Sequence, residues 1–461
     1  MKPITKYISY IVLPAMLAFT AACNKKLDVI PGQQISPEQI KTEDDVNGIL
    51  MSAYNSMQDP NAFGERYIFL ADLFASDYSA DGFIYYQGTF QPYAQVNSRQ
   101  VQKSGIIPEG VWRRGYVIIN TANIVLANLD KVSEGNKAAL AAEAKFIRAI
   151  NYYELAGFYG LPYSAGNVDK NPAVPLITTA VISTADLPAS KQPRATVADV
   201  YKQIIADLKE AAANLPDSYG EKKNKSRATK YAAYAFLARV YMAQGNYTEA
   251  AKAADQVIES GNYSLVPSFD AEFNNTSLSA EDIFAILQTS QSNAGTSDNG
   301  LVTFYALDQR NDVLIKTEQL DQYGPGDQRK NFYTYSSDSS SFTTSKWRDM
   351  YGTIPVVRLA EMYLTRAEAN LRAGTAVGDN PLNDVNKVRS RSKATPLAAA
   401  TADDVVQERR LELAFEGDSY WTVKRLQLNV GSMQYNNNRL VFPVPQREVD
   451  VNSTLVQNPG Y

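Results

Sequence analysis

Apolar positions recur every three or four residues through most of the chain, and the stretches that break this rhythm are few and long. In TEDDVNGILMSAYNSM, residues 42–57, Val46, Ile49, Leu50 and Tyr54 fall on one helix face. Thr42 followed by Glu43 and Asp44 suits the start of that helix, while Ser36 with Pro37 could open an earlier turn. RYIFLADLF, residues 66–74, is short, apolar and predicted helical, and residues 112–129 carry Tyr116, Ile119, Asn123 and Leu126 along one side. KAALAAEAKFIRAINYYELAGFYG, residues 137–160, is a strong helix rich in Ala, Leu and Glu and closed by Gly160. TVADVYKQIIADLKEAAANLP follows, with Thr196 at its start and Pro216 at its end.

The clearest unit is residues 229–260, TKYAAYAFLARVYMAQGNYTEAAKAADQVIES. Leu237, Ala238 and Tyr241 share one face, Gly245 breaks the helix, and Ala250, Ala254 and Val257 recur on a second. Small residues that let two antiparallel helices approach, with an aromatic in the angle, resemble a tetratricopeptide-type hairpin. A related pattern returns at RLAEMYLTRAEANLRAG, residues 358–374, where Tyr363 and Ala367 hold the corresponding face and Gly374 ends the helix. FIRAINYYELAGFYG, residues 146–160, shares the period less closely.

Three stretches lack a helical period. Residues 76–100, SDYSADGFIYYQGTFQPYAQVNSRQ, are polar with many aromatics. Residues 161–190 hold prolines and short β-branched runs. Residues 262–352 are dense in Ser, Asn, Asp, Gly and aromatics, and a structureless loop of that length would be unusual in a compact domain. They are therefore expected to form a second layer of short elements over the helices, with EDIFAILQ as a strand. The final RLVFPVPQREVDVNSTLVQNPGY reads as extended chain docked on the body.

Composition removes most chemistries. Forty-five basic residues face 49 acidic ones, a net charge of -4, which offers no basic groove for nucleic acid. There is no histidine, so imidazole metal sites and Ser-His or Cys-His nucleophile pairs are excluded. Carboxylate chemistry, lysine chemistry or none remains. The single cysteine, Cys23, has no intramolecular disulfide partner. It follows MKPITKYISYIVLPAMLAFTAA, a signal-peptide pattern with Lys2 and Lys6 ahead of an apolar run ending in small residues. T-A-A-C resembles a bacterial lipobox, in which the signal is cut before a cysteine that then carries lipid; Thr20 stands where leucine is more usual.

The order of these pieces carries a wider resemblance. CNKKLDVIPG after the signal, AEAKFIRAINYYELAGFYG, RATKYAAYAFLARVYMAQGNYTEAAKAADQVIESGNY, RLAEMYLTRAEANLRAG, QERRLELAFEGDSYWTVKR and the terminal VFPVPQREVD…QNPGY together resemble the SusD/RagB family of outer-membrane nutrient-binding lipoproteins of Bacteroidetes. The resemblance implies a mostly α fold, a tetratricopeptide-like array of about four helix pairs with a loop-rich second layer. It implies a signal peptide over 1–22, a lipidated tether over 23–35 and one body over 36–461. Within that body the helical repeats would occupy about 36–261 and 353–425, the irregular ligand-side region about 262–352, and the docked C-terminal segment 426–461. It also implies a lipid anchor at Cys23, exposure at the cell surface, and a SusC-like TonB-dependent transporter as partner. Glycan, or in some members peptide, is bound before import, without catalysis or a cofactor.

Sugar rings present apolar C–H faces edged with hydroxyls, which flat aromatics and polar side chains match. The irregular stretches supply that mixture. The candidates are Tyr78, Asp81, Phe83, Tyr85, Tyr86 and Tyr93 in the first, and Tyr305, Tyr323, Arg329, Trp347 and Tyr351 in the second, with Tyr85, Tyr86 and Trp347 foremost. Trp112 and Trp421 read as packing residues. Glu408, Glu412 and Glu416, four residues apart, could be drawn as a glycosidase acid pair, but neighbouring Arg409 and Arg410 make ion pairing the better account. Asp72, Asp77 and Asp81 leave calcium open, although they lack the Gly-centred twelve-residue loop. Other readings of the whole are a peptide-binding importer subunit, a secreted carboxylate glycoside hydrolase, and a protein-binding helical scaffold.

Overall fold

The computed structural model describes residues 39–76, 83–220, 225–295, 299–337 and 340–461. The signal peptide, Cys23, the tether and the Ser36-Pro37 turn lie outside the described residues. In chain order the helices are α1 (Glu43–Met57), α2 (Arg66–Ala75), α3 (Gln91–Asn97), α4 (Ile106–Ala127), α5 (Glu134–Tyr159), α6 (Leu187–Ser190), α7 (Val197–Asn214) and α8 (Lys230–Gln244). They continue with α9 (Tyr247–Ile258), α10 (Leu301–Tyr305), α11 (Thr317–Asp321), α12 (Leu359–Ala373), α13 (Pro381–Arg391), α14 (Ala402–Glu412), α15 (Asp418–Arg425) and α16 (Gln446–Val451).

The long helices pack in sequence. α1 lies on α4, α4 on α5, α5 on α7, α7 on α8, α8 on α9, α9 on α12, and α12 on both α13 and α14. The fold is predominantly α-helical with repeated helix-pair packing. Close approach at α8 and α9 follows from composition: Ala232, Ala235, Ala238, Ala250 and Ala254 are all fully buried there. Helix ends are written locally. Thr42 forms a capping box with Asp45, and Thr196, Thr229, Asn246 and Thr401 accept backbone N–H groups at four further N-termini. Each such cap contributes about 1 kcal/mol. Gly245 and Gly374 close α8 and α12 with φ of 72° and 66°, a left-handed turn that favours glycine.

Short strands build the second layer. β1 (Ile84–Tyr86), β5 (Val313–Ile315), β6 (Tyr333–Ser336) and β7 (Ser341–Thr344) form one sheet in the order β1-β5-β7-β6. β2 (Pro172–Pro175) pairs antiparallel with β3 (Arg194–Thr196), and β4 (Asp282–Ile286) with β8 (Ile354–Arg358). β4 is the strand expected at EDIFAILQ. The stretch 76–100 is not wholly irregular, because α3 forms there with Pro92 in its first turn. α4 likewise starts at Ile106, earlier than the periodicity suggests. The C-terminal segment is docked, with Phe442 and Val444 fully buried and the Phe442 N–H donating to the Phe158 carbonyl at 2.6 Å. α16 interrupts its extended course. Among the described residues no helix is long and apolar enough to cross a membrane.

Candidate functional site

β1 decides which of its aromatics faces solvent. Side chains alternate along a strand, so Ile84 and Tyr86 are buried while Tyr85, between them, is 42% exposed. The register sets Tyr85 opposite Leu314 of β5. The chain leaving β1 is clamped to the turn after α10: the Gln87 N–H donates to the Asp312 carbonyl at 2.8 Å, and Gln87 Nε2 to the Asn311 carbonyl at 3.0 Å. Gly88 fits because a Cβ there would fall 2.3 Å from the Tyr86 hydroxyl oxygen and 2.6 Å from Asp312 Cγ. The two clamped segments form a shelf on which Tyr85, Phe90 and Leu307 are exposed apolar residues and Gln87, Asp308, Gln309 and Arg310 exposed polar ones. Burial raises the Asp312 carboxyl, and the Arg310 guanidinium, 2.5 Å away, pulls it back.

Beside the start of β1 lies a cleft of about 90 Å³, bounded by the end of α2, the start of β1, α11 and the α14–α15 turn. Phe83, Gln319, Arg410, Phe415 and Ser419 line it around the Asp72 carboxyl. Asp72 Oδ2 accepts from the Tyr305 hydroxyl at 2.9 Å, and burial pushes its pKa up to about 7. The carboxyl also meets the Gly417 backbone N–H. The cleft holds a hydroxymethyl-sized group or a few waters; a stacked ring has to rest on the shelf.

Six of the eleven aromatic and polar candidates are core residues instead. Tyr86, Tyr93 and Tyr305 join Phe69 and Phe304 in an aromatic cluster with ring centroids 4.4–6.3 Å apart. The Tyr93 hydroxyl is tied to Glu65 and Arg66. Tyr323 donates to the Leu411 carbonyl at 3.1 Å, and Trp347 is 5% exposed with Nε1 donating to the Phe415 carbonyl at 2.8 Å. Arg329 is fully buried among Asp327, Glu408 and Glu412. None of the six offers a ring face or a free guanidinium to a ligand. Phe83, Tyr85 and Tyr351 remain at least partly exposed, Phe83 just before β1 and Tyr85 within it. Tyr78 and Asp81, like Asp77, lie outside the described residues. Sequence reasoning missed Leu307 and Gln87, and also Tyr335, 57% exposed at the far end of the sheet. Exposed apolar residues in a tight turn carry no periodic signal.

The carboxylate run is saturated. Glu408 is held by Arg329 and Arg389, Glu412 by Arg329, Arg358 and Arg391, and Glu416 by Arg358 and Lys346. The ion-pairing account therefore stands with different partners, since Arg409 turns to Glu361 and Asp418. Facing arginines hold Glu412 and Glu416 below the usual carboxylate range against the desolvation that opposes it. Buried and fully paired, these acids have neither the free proton nor the space that cleavage across a sugar needs. Among the described residues no three acidic or cysteine side chains gather as a metal site.

Comparison with known proteins gives one consistent result. A family profile described as "SusD-like_3: Starch-binding associating with outer membrane" matches residues 26–242, and one described as "SusD family" matches residues 205–461. SusD-like protein P2 of Formosa agariphila is 28% identical, with 98% of this chain and 99% of the relative aligned. A crystal structure of a putative sugar binding protein from Bacteroides vulgatus superposes with a TM-score of 0.79 at 25% identity, covering 92% of this chain and 99% of that one. Surface glycan-binding protein A from Bacteroides thetaiotaomicron superposes with a TM-score of 0.75 at 20% identity, over 91% and 99% of the two chains.

Proposed function

The chain belongs to the SusD/RagB family of outer-membrane nutrient-binding proteins of Bacteroidetes, and from that premise we propose that it is a surface lipoprotein that captures oligosaccharide and passes it to a partner TonB-dependent transporter. The observation that supports this reading best is the pairing around β1. An exposed ring, Tyr85, shares the shelf with amide, carboxylate and guanidinium side chains, and Phe83, two residues before it, lines the Asp72 cleft. A pyranose laid on Tyr85 would put its hydroxyls within the reach of Gln87, Asp308 and Arg310, with an exocyclic hydroxymethyl directed toward Asp72. The binding is non-catalytic. Cys23 carries the lipid, residues 1–22 are removed, residues 23–35 form the tether, and the body from 36 to 461 sits at the outer surface as tetratricopeptide-like pairs carrying the ligand layer.

The test is a binding screen of the mature protein against glycans and peptides, followed by calorimetry on Tyr85→Ala and Trp347→Ala. Loss of one stacking ring removes about 0.5–1.5 kcal/mol, so Tyr85→Ala weakens a glycan two- to tenfold with an unchanged thermal midpoint. Trp347→Ala lowers the midpoint instead. Glycan affinity that is untouched in Tyr85→Ala overturns this placement of the platform, and binding confined to peptides overturns the ligand class. Mass analysis of the mature N-terminus checks the anchor; an unmodified Cys23 removes it.

A further inference from the structure

A second, roomier cavity lies away from the shelf. It is a groove of about 680 Å³ floored by the outer face of α4 and walled by residues 175–191 on one side and by α16 with Leu455 on the other. Its size is that of a small-molecule site, and its lining is mostly apolar. Val117 on the floor, Leu187 on one wall and Val451 on the other are 43%, 46% and 57% exposed. Three residues that share a face of α4 hold one wall in place. The Tyr116 hydroxyl donates to the Pro175 carbonyl at 2.7 Å, and Asn123 Nδ2 to the Ile177 carbonyl at 3.0 Å. Asn120 engages both the carbonyl and the N–H of Val181, each at 2.8 Å. The opposite wall is tied across by Asn452 Nδ2, which donates to the Gln192 carbonyl at 2.9 Å. The groove is thus preformed, and no side chain of the described protein fills it.

Its charges select an occupant. Arg113 and Lys191 line the groove, are exposed, and make no ion pair with any described residue. The acid that shares the lining, Glu448, is destabilised in its charged form by burial. The amides of Asn120, Asn123 and Asn452 and the Tyr116 hydroxyl are already committed to backbone groups, so the accessible lining is mostly apolar and suits aliphatic carbon better than a sugar.

We propose that this groove is a second binding site, for an amphipathic ligand with an aliphatic body and an anionic head. The body lies along Val117, Leu187 and Val451, and the head meets Arg113 and Lys191. Each further buried methylene strengthens binding about fourfold, so affinity rises with chain length, and the two cations favour a carboxylate over a neutral or cationic head.

The experiment titrates the mature chain with the fluorescent anionic probe 1-anilinonaphthalene-8-sulfonate and displaces it with decanoate, decanol and decyltrimethylammonium below their micellar concentrations. Decanoate is expected to displace best and the ammonium worst. Val117→Asp, a solvent-facing change on α4, should weaken decanoate at least tenfold, and Lys191→Glu with Arg113→Glu should remove its advantage over decanol. Val456→Asp, exposed outside the groove, should leave binding unchanged. Absence of saturable binding to the native chain, equal binding by Val117→Asp, or a preference for the ammonium overturns the proposal. Retention of glycan binding in Val117→Asp shows that the groove and the shelf are separate sites; joint loss with an unchanged fold overturns that separation.

Discussion

Glu272 and Asp282 provide a quantitative test of the second layer's interior. Both are buried, and both close on Ser279: its N–H donates to Asp282 Oδ2 at 2.7 Å and its hydroxyl to Glu272 Oε2 at 2.6 Å. The remaining oxygens, Glu272 Oε1 and Asp282 Oδ1, have no hydrogen-bond partner. Around them stand Glu281 as a further acid and Lys225 and Arg358 as cations. Desolvation dominates, so Glu272 is driven well above its ordinary value and Asp282 from 3.8 to about 6. For Asp282 that rise corresponds to about 3 kcal/mol. Both carboxyls bind protons more tightly folded than unfolded. Their contribution is therefore present at acid pH and fades as pH rises, for Asp282 from about 4 through about 6. Glu272→Gln keeps an acceptor for Ser279 and supplies a permanent N–H donor to Asp282 Oδ1. It should raise the urea midpoint at pH 8, by the equivalent of about 1–3 kcal/mol, and match the native protein at pH 4.5, where Glu272 already carries its proton. An equal or lower midpoint at pH 8, or a gain of the same size at both pH values, refutes the shared-burial account.

The arginine–carboxylate network answers pH in the opposite sense. Glu412, Glu416 and Asp418 are held below their ordinary values, so their contribution is present at neutral pH and fades as pH falls below the usual carboxylate range, and acid titration of the native chain should show that limb by circular dichroism. Arg358, 1% exposed between Glu281, Glu412 and Glu416, should lose about 3–5 kcal/mol as Arg358→Met, read by chemical denaturation. A loss under about 1 kcal/mol would mean that Arg391 and Lys346 suffice alone. At Gly157 an added Cβ would sit 1.8 Å from the Trp421 ring, which stacks on Tyr153 at 4.4 Å. Gly157→Ala should therefore cost about 1–3 kcal/mol, and the Gly157→Ala/Trp421→Ala double variant should be markedly non-additive; simple additivity rejects the contact.

The helical array was legible because its signals are local and repeated. Period, N-cap and closing glycine all agree at α8, Asn246 caps α9 and Gly374 closes α12, so each of these boundaries follows from residues close by in the chain. Where the signals are weak, boundaries moved: α4 opens on Gly105-Ile106 with no side-chain cap, and α16 hides in a segment read as extended because Pro445 precedes it. The second layer's existence followed from length alone, whereas its strand order could not, since β1 pairs with β5 across more than two hundred residues.

The site was harder to read than the fold for a specific reason. An aromatic outside a periodic segment was taken to be free of packing duty, yet a layer of some ninety residues needs a core of its own to offset the entropy of ordering it. Tyr86, Tyr93 and Tyr305 serve that core together with Phe69 of α2, and Trp347 seals it against the Phe415 carbonyl. The information that separates ligand-facing from core-facing rings was present in one place. In Phe83-Ile84-Tyr85-Tyr86 the residue kind changes little while the strand alternates, so adjacent tyrosines receive opposite fates, 42% and 2% exposed. Reading period two there singles out Tyr85 and Phe83 and discards Tyr86. Asp72 sits on a wholly buried turn of α2 with a tyrosine hydroxyl as its partner, and burial raises its carboxyl to about 7.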